Sequence, residues 1–147
     1  MSSFVEKPPY WINRAAFLFR AELQRAFSAD GIDLTPEEWA LMMVLRERAP
    51  LSVGSLAELT LRDRTTVTRF LDTLASKGFV ERKPDPADRR RMEVRLSPHA
   101  LEAFPRMLAH VEALIARGGM GISRSEIETT ISVLSRMIAN LSASKGE

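Results

Sequence analysis

Apolar residues recur at helical spacing through most of the chain. From Tyr10 to about Ala29, Ile12, Ala15, Phe19, Leu23 and Phe27 fall three or four positions apart, the period of a helix with one apolar face. A second helix starts at Thr35-Pro36-Glu37-Glu38. Thr35 is a good N-cap, Pro36 suits the first helical position, and the two carboxylates favour the positive end of the helix dipole. This helix runs to about Glu47, turns Leu41, Val44 and Leu45 inward, and stops at Pro50. Ser52 caps a short helix, VGSLAEL, with Leu56 and Leu59 inward. After the turn TLR, Asp63 caps the next, RTTVTRFLDTLASKG. There Val67, Phe70, Leu71 and Leu74 lie at i, i+3, i+4 and i+7, while Arg64, Thr65, Thr66, Thr68, Arg69 and Asp72 occupy the other face. Lys77 lies in the last turn, and Gly78 is placed to end the helix as its C′ residue.

The period then changes from 3.6 to 2. FVERKP and MEVRLS each alternate, and DPADRRR joins them, which predicts a β-hairpin with a long tip. Pro98 opens another helix carrying Leu101, Phe104, Met107, Leu108, Val111, Leu114 and Ile115. Pro105 within it predicts a kink in the first turns. RGGMGIS is a break, Ser123 and Glu126 form a capping-box pair, and Ile127, Ile131, Leu134, Ile138 and Leu141 follow at 4-3-4-3 spacing. The first seven or eight residues read as frayed, with Pro8-Pro9 as the boundary.

Composition narrows the class. A chain of 147 residues, 45% hydrophobic and 27% charged, has an ordinary soluble globular composition with a sizeable core. Its apolar runs fall short of a membrane span, and MSSFVEKPPYW lacks the basic start and apolar stretch of a secretory signal. The expected location is the cytoplasm. With no cysteine, disulfides, thiolate nucleophiles, zinc–thiolate sites and thiol redox sensing are excluded together. Net charge is only +2, but residues 61–95 hold ten Lys/Arg against six Asp/Glu. A basic segment on a slightly acidic body is what a nucleic-acid reader presents.

Short helix, turn, amphipathic helix, hairpin: the order predicts a winged helix-turn-helix. A major groove about 12 Å wide admits one helix, held by its apolar side and touching base edges with its short polar side. Thr65, Thr66 and Thr68 offer hydroxyls and methyls, and Arg64 and Arg69 reach guanine edges or phosphates. Ser52, Ser55 and the first amides of the short helix suit phosphate. Lys77 joins this basic set. The hairpin tip is narrow enough for a minor groove about 6 Å wide, whose negative potential attracts inserted arginine. Arg90 is expected to point into that groove, with Arg89 or Arg91 on phosphate or on Asp88, which would hold the tip in shape. Winged helices also serve as protein-interaction modules, and that alternative stays open.

The segment Asp88–Ser97, D-R-R-R-M-E-V-R-L-S, resembles the MarR (multiple antibiotic resistance regulator) family pattern Asp-x-Arg-x-x-x-Leu/Val-x-Leu-Thr. Asp88, Arg90, Val94 and Leu96 match, and Ser97 replaces threonine. RTTVTRFLDTLASKGFVERKPDPADRR is similar to that family's recognition helix and wing, and LTPEEWALMMVL to its second helix. The resemblance covers nearly the whole chain. It implies an obligate homodimer on inverted-repeat double-stranded DNA, repressing transcription. Two-fold symmetry would place recognition helices about 34–36 Å apart, one DNA turn. The 4-3-4-3 spacing independently suits helix-against-helix packing.

The expected fold is therefore mainly α with a small β-hairpin wing. Residues 1–34 form an N-terminal dimerisation helix, 35–97 the DNA-binding reader, and 98–147 the C-terminal dimerisation helices. Many relatives release DNA when a small aromatic acid or phenol binds between the dimer helices and the reader. Tyr10, Trp11, Arg14, Phe17, Trp39 and Met43 are the candidate liners here, with Arg14 for a carboxylate. A regulator with no small-molecule effector is the alternative. No metal or other cofactor is expected, and His99 and His110 read as structural or exposed. No paired carboxylates, Ser/His/Asp grouping or Gly-rich phosphate loop points to an enzyme.

Overall fold

The computed structural model describes residues 3–143. They form a 3₁₀ turn over Phe4–Glu6, helices α1 (Pro8–Ala29), α2 (Pro36–Arg48), α3 (Val53–Thr60), α4 (Arg64–Ser76), α5 (Pro98–Gly118) and α6 (Arg124–Ala143), and strands β1 (Leu51–Ser52), β2 (Val80–Pro84) and β3 (Met92–Leu96). This is the mainly helical winged fold that the pattern predicts. Two compact units divide the chain, the first through Leu114 and the second from Ile115.

In the first unit, local chemistry sets each boundary. Thr35 accepts from the Glu38 amide, and the Glu38 carboxylate accepts from the Thr35 amide at 3.0 Å, a complete capping box at the start of α2. Ser52 and Asp63 cap α3 and α4 in the same manner. At the end of α4, the Gly78 amide donates to Ala75 and the Phe79 amide to Leu74, with Gly78 at φ +78°. That is a Schellman ending, and a left-handed φ there favours glycine.

The core of this unit gathers Leu41, Met42 and Leu45 of α2, Leu56 of α3, Val67, Leu71 and Leu74 of α4, Val94 and Leu96 of β3, and Phe104 and Met107 of α5. Each such side chain contributes about 1.5–3 kcal/mol by leaving water. Leu59, expected inward, is 45% exposed. The short α3 presents Leu56 and Ala57 to the core, and Leu59 falls off that face. Strand β1 was not foreseen. Two residues are too few for a period of 2 to register, yet Leu51 and Ser52 pair with Val94 and Glu93, giving an antiparallel sheet of order β1-β3-β2. Helix α5 runs on through Pro105.

The start of the chain differs from expectation. Instead of fraying before Pro8, Phe4–Glu6 turns back: Trp11 Nε1 donates to the Val5 carbonyl at 2.7 Å, and Phe4 packs edge-on against Tyr10. Met1 and Ser2, and residues 144–147, lie outside the described residues. Along α1 only Leu23 and Phe27 are buried. Trp11, Ile12, Phe17, Leu18 and Phe19 stay exposed in the single chain. The end of α1 is tied to α5: the Asp30 carboxylate accepts from Arg106 at 2.7 and 2.9 Å and bonds His110 Nε2 at 2.7 Å.

In the second unit, the Ser123–Glu126 capping box forms as expected and starts α6. The 4-3-4-3 stripe is present, but none of α6 is buried. Ile131 and Ile138 are each more than half exposed.

Candidate nucleic-acid interface

Helix α4 presents two faces of opposite character. Val67, Leu71 and Leu74 are fully buried, while Arg64, Thr65, Thr68 and Arg69 are exposed. The start of α4 is rigidly set by Asp63. Its carboxylate accepts from the Thr66 amide at 2.8 Å and from the Thr66 hydroxyl at 2.7 Å. Those bonds, the amide's first, hold the Asp63 carboxyl below its ordinary value. Thr66 is thereby occupied with capping, leaving Thr65 and Thr68 as the outward threonines. Asp72, on the same face, is bound to Arg82 of β2 at 2.6 Å, which fastens the wing to α4.

The wing tip is held by its own backbone. The Asp85 amide donates to the Arg91 carbonyl, and the Arg91 amide to the Asp88 carbonyl, both at 2.9 Å. The Asp88 carboxylate accepts from the Arg90 amide at 3.1 Å. Asp88 does shape the tip, but through a backbone amide and not through an arginine side chain as expected. No ion pair within 4 Å engages Arg89, Arg90 or Arg91 among the described residues. Their three positive charges stand together on an exposed tip.

One cleft joins these parts. Ser52, Gly54, Ser55 and Glu58 of the α3 region, Arg64 of α4, and Arg90 and Arg91 of the wing line an open hollow of about 500 Å³. The Ser52 side chain accepts from the Ser55 amide, and the two hydroxyls bond each other at 3.0 Å, so both serines are committed to the cap. Three guanidiniums against one carboxylate leave the cleft net positive, suited to a phosphate oxygen.

Lys77 departs from the basic set. Its Nζ lies 2.9 Å from Glu38 and 3.3 Å from Asp33, and its side chain is only 18% exposed. It joins the end of α4 to the start of α2 and faces away from solvent. Burial alone would lower the ammonium's pKa, but the bonds to Glu38 and Asp33 outweigh it and hold it above the ordinary value.

The six candidate effector liners do not share one cavity within the chain. Trp39 is buried against Phe27 and Phe104. Arg14 lies over the Tyr10 ring and, with Phe17, lines a shallow hollow on α1. Trp11 is committed to Val5. Met43 lines a different cleft of about 580 Å³, with Arg46, Glu47, Phe104, Pro105 and Leu108. Sequence reasoning missed that cleft because α2 and α5 are far apart along the chain. His99 stacks on Phe79 at the surface, and His110 is partnered by Asp30. Among the described residues, no group of three acidic or histidine side chains is placed to hold a metal ion, and no helix is long and apolar enough to cross a membrane.

Comparison with known proteins bears on this geometry. Residues 34–92, from the start of α2 to the wing, match the sequence model of the MarR family. The HTH-type transcriptional repressor IacR of Pseudomonas putida is 23% identical over 91% of this chain and 79% of its own length. The crystal structure of a MarR-family transcriptional regulator from Silicibacter pomeroyi is 27% identical, with a TM-score of 0.78 over 94% of this chain and 92% of that one. Bordetella bronchiseptica BpsR, whose DNA binding is regulated by 6-hydroxynicotinic acid, shares the fold at a TM-score of 0.82 and 23% identity over 93% and 96% of the two chains.

Proposed function

Because the chain belongs to the MarR family of transcriptional regulators, we propose that it acts as a homodimeric repressor that binds an inverted-repeat operator and releases it on binding a small aromatic acid or phenol. The observation that carries DNA binding is the convergence of an outward Thr/Arg helix face with a wing tip whose three arginines have no ion-pair partner among the described residues. Residues 35–97 are the reader. Arg90 enters the minor groove, Thr65, Thr68 and Arg69 face the major groove, and Arg64, Arg89 and Arg91 take phosphates.

Homodimerisation rests on apolar surface left over within each unit. Trp11, Phe17 and Leu18 on α1, and Ile131 and Ile138 on α6, are each more than half exposed, and contiguous apolar faces of this kind mark association surfaces. Segments 1–34 and 98–147 supply the dimer contacts.

For the effector, the α2–α5 cleft is the better seat. Met43, Phe104 and Leu108 supply apolar walls, Arg46 supplies a cation, and the volume fits a one-ring acid. IacR is named a repressor, and BpsR answers to a hydroxylated aromatic acid, which favours that ligand class.

The test is selection of fragmented genomic DNA on the purified protein at near-physiological salt, followed by sequencing. Enrichment of an inverted repeat with half-sites about one helical turn apart supports the reading. A protein that enriches nothing and binds duplexes without salt dependence is a winged module for protein contacts. Adding aromatic acids to the recovered complex then tests release, and an unchanged affinity across the panel removes the effector.

A further inference from the structure

Helix α3 carries a glycine in its first turn that its backbone does not require. Gly54 lies within the helix, and its φ is outside the left-handed region. Glycine is a poor helix former, and alanine in its place favours the helix. The reason for a glycine lies instead in its neighbour. A Cβ at position 54 would sit 2.8 Å from Nη2, 3.3 Å from Cζ and 3.4 Å from Nε of Arg64. The guanidinium of the first residue of α4 therefore closes over the first turn of α3, in the space a side chain would fill.

We propose that Gly54 is a positioning residue for DNA binding: its missing side chain seats the Arg64 guanidinium in the cleft beside Arg90 and Arg91, where it meets a backbone phosphate and not a base. The inference rests on the DNA-binding reading above and adds to it a division of labour along α4. Arg64 reaches back across α3, while Thr65, Thr68 and Arg69 face outward from α4. Arg64 shares one hollow with two wing arginines, so the three charges converge on one point. A guanidinium presents its N–H groups as a planar fork that matches two phosphate oxygens, and holding that fork in place before binding removes an ordering cost. Glu58, in the same cleft, leaves the site net positive.

The experiment compares the full-length parent, Gly54→Ala, Arg64→Ala and the double variant by fluorescence anisotropy and thermal melting. Two duplexes of equal length are used: the operator recovered by genomic selection and an unrelated sequence. Gly54→Ala is expected to weaken binding to both duplexes about tenfold, the effect of losing a hydrogen bond to a charged group. It should also flatten the log–log salt dependence by up to about 2, one phosphate from each subunit. Its melting temperature should hold or rise by about 1–4 °C, because the only obstacle to a Cβ is the far end of a flexible side chain. In the Arg64→Ala background the alanine should change nothing in binding. Parent-like binding by Gly54→Ala overturns the proposal. So does an equal loss in the Arg64→Ala background, a loss confined to the operator, or a lower melting temperature in both backgrounds. A parent that binds neither duplex in a salt-dependent way defeats the DNA reading itself, a result distinct from each of these.

Discussion

Replacing Lys77 by methionine separates a structural cation from a DNA-binding one. Lys77 is the partner of Glu38, whose carboxylate is 3% exposed and receives Nζ at 2.9 and 3.2 Å. Removing one member of a buried ion pair costs about 3–5 kcal/mol, because the other charge is left without compensation. Two features reduce that figure here. The Lys77 side chain keeps 18% of its surface in water, and Glu38 still accepts from the Thr35 amide at 3.0 Å at a helix N-terminus, where negative charge is favoured. We expect a loss of about 2–3 kcal/mol, or roughly 6–9 °C in melting temperature at fixed protein concentration. The lysine's pKa is raised above its ordinary 10.5. Its contribution is therefore complete below that value and is lost only as pH rises through the higher folded value, so at neutral pH the pair is fully formed. Glu38→Gln with Lys77→Met should recover most of the loss, since glutamine still completes a capping box and no buried charge remains. DNA affinity and its salt dependence, measured below the melting transition, should match the parent. An unchanged melting temperature with weaker binding and a flatter salt dependence would return Lys77 to the DNA-contacting face and refute the reasoning.

Arg90→Ala should weaken operator binding by about 1–3 kcal/mol, and parent-like affinity in a titration would remove the wing from the interface. Thr68→Ala should change the sequence recovered by selection, since it faces out from α4 without a capping duty, whereas Thr66→Ala should act on stability through the Asp63 cap. The Asp30 carboxyl is held well below its ordinary 3.8 by its bonds to Arg106, then His110. A depressed carboxylate stabilises above its unfolded value and loses that contribution as pH falls through the folded one. Asp30→Asn should therefore melt lower than the parent at pH 7, with the gap narrowing below about pH 4. A gap independent of pH would mean that the Asp30–Arg106–His110 contact contributes nothing through charge.

Much of the reader was legible because its signals are local. A cap and its amide lie three residues apart, so Thr35, Ser52, Asp63 and Ser123 marked four helix starts, and Gly78 marked an end. What the sequence could not disclose depends on contacts between distant segments. Lys77 read as a basic residue near DNA because Glu38, thirty-nine positions away, leaves no local trace. The pairing of β1 with β3 and the cleft between α2 and α5 were hidden for the same reason. Asp88 was read correctly as the residue that shapes the tip, but its partner was not foreseen, since a side chain alone does not say whether it will take a guanidinium or an amide. Helix α1 is intermediate. Its stripe gave the helix, yet only Leu23 and Phe27 find a core within the chain.

That contrast bears on how a ligand could act. The reader's core is closed by fully buried side chains from α2, α3, α4 and β3, and interiors packed in this way do not deform by degrees. A small acid is therefore poorly placed to switch off DNA binding by loosening the reader, because opening that core would cost several kcal/mol for each apolar side chain exposed. The less costly coordinate, in the proposed mechanism, is the distance between two intact readers. Its value is set by apolar surfaces that the single chain leaves uncovered on α1. Shifting such an equilibrium from 1:99 to 99:1 needs a ligand that prefers one spacing by about 10⁴-fold. A ring between Met43 and Phe104 with its carboxylate on Arg46 supplies that preference only if the cleft differs between the two spacings. The cleft is bounded by α5, which Asp30 ties to the end of α1. Cutting that tie with Asp30→Asn should therefore weaken the coupling between effector and operator more than it weakens either binding event alone. Measuring operator affinity with and without effector in both proteins gives the coupling directly. An unaltered ratio of affinities would place the lever elsewhere.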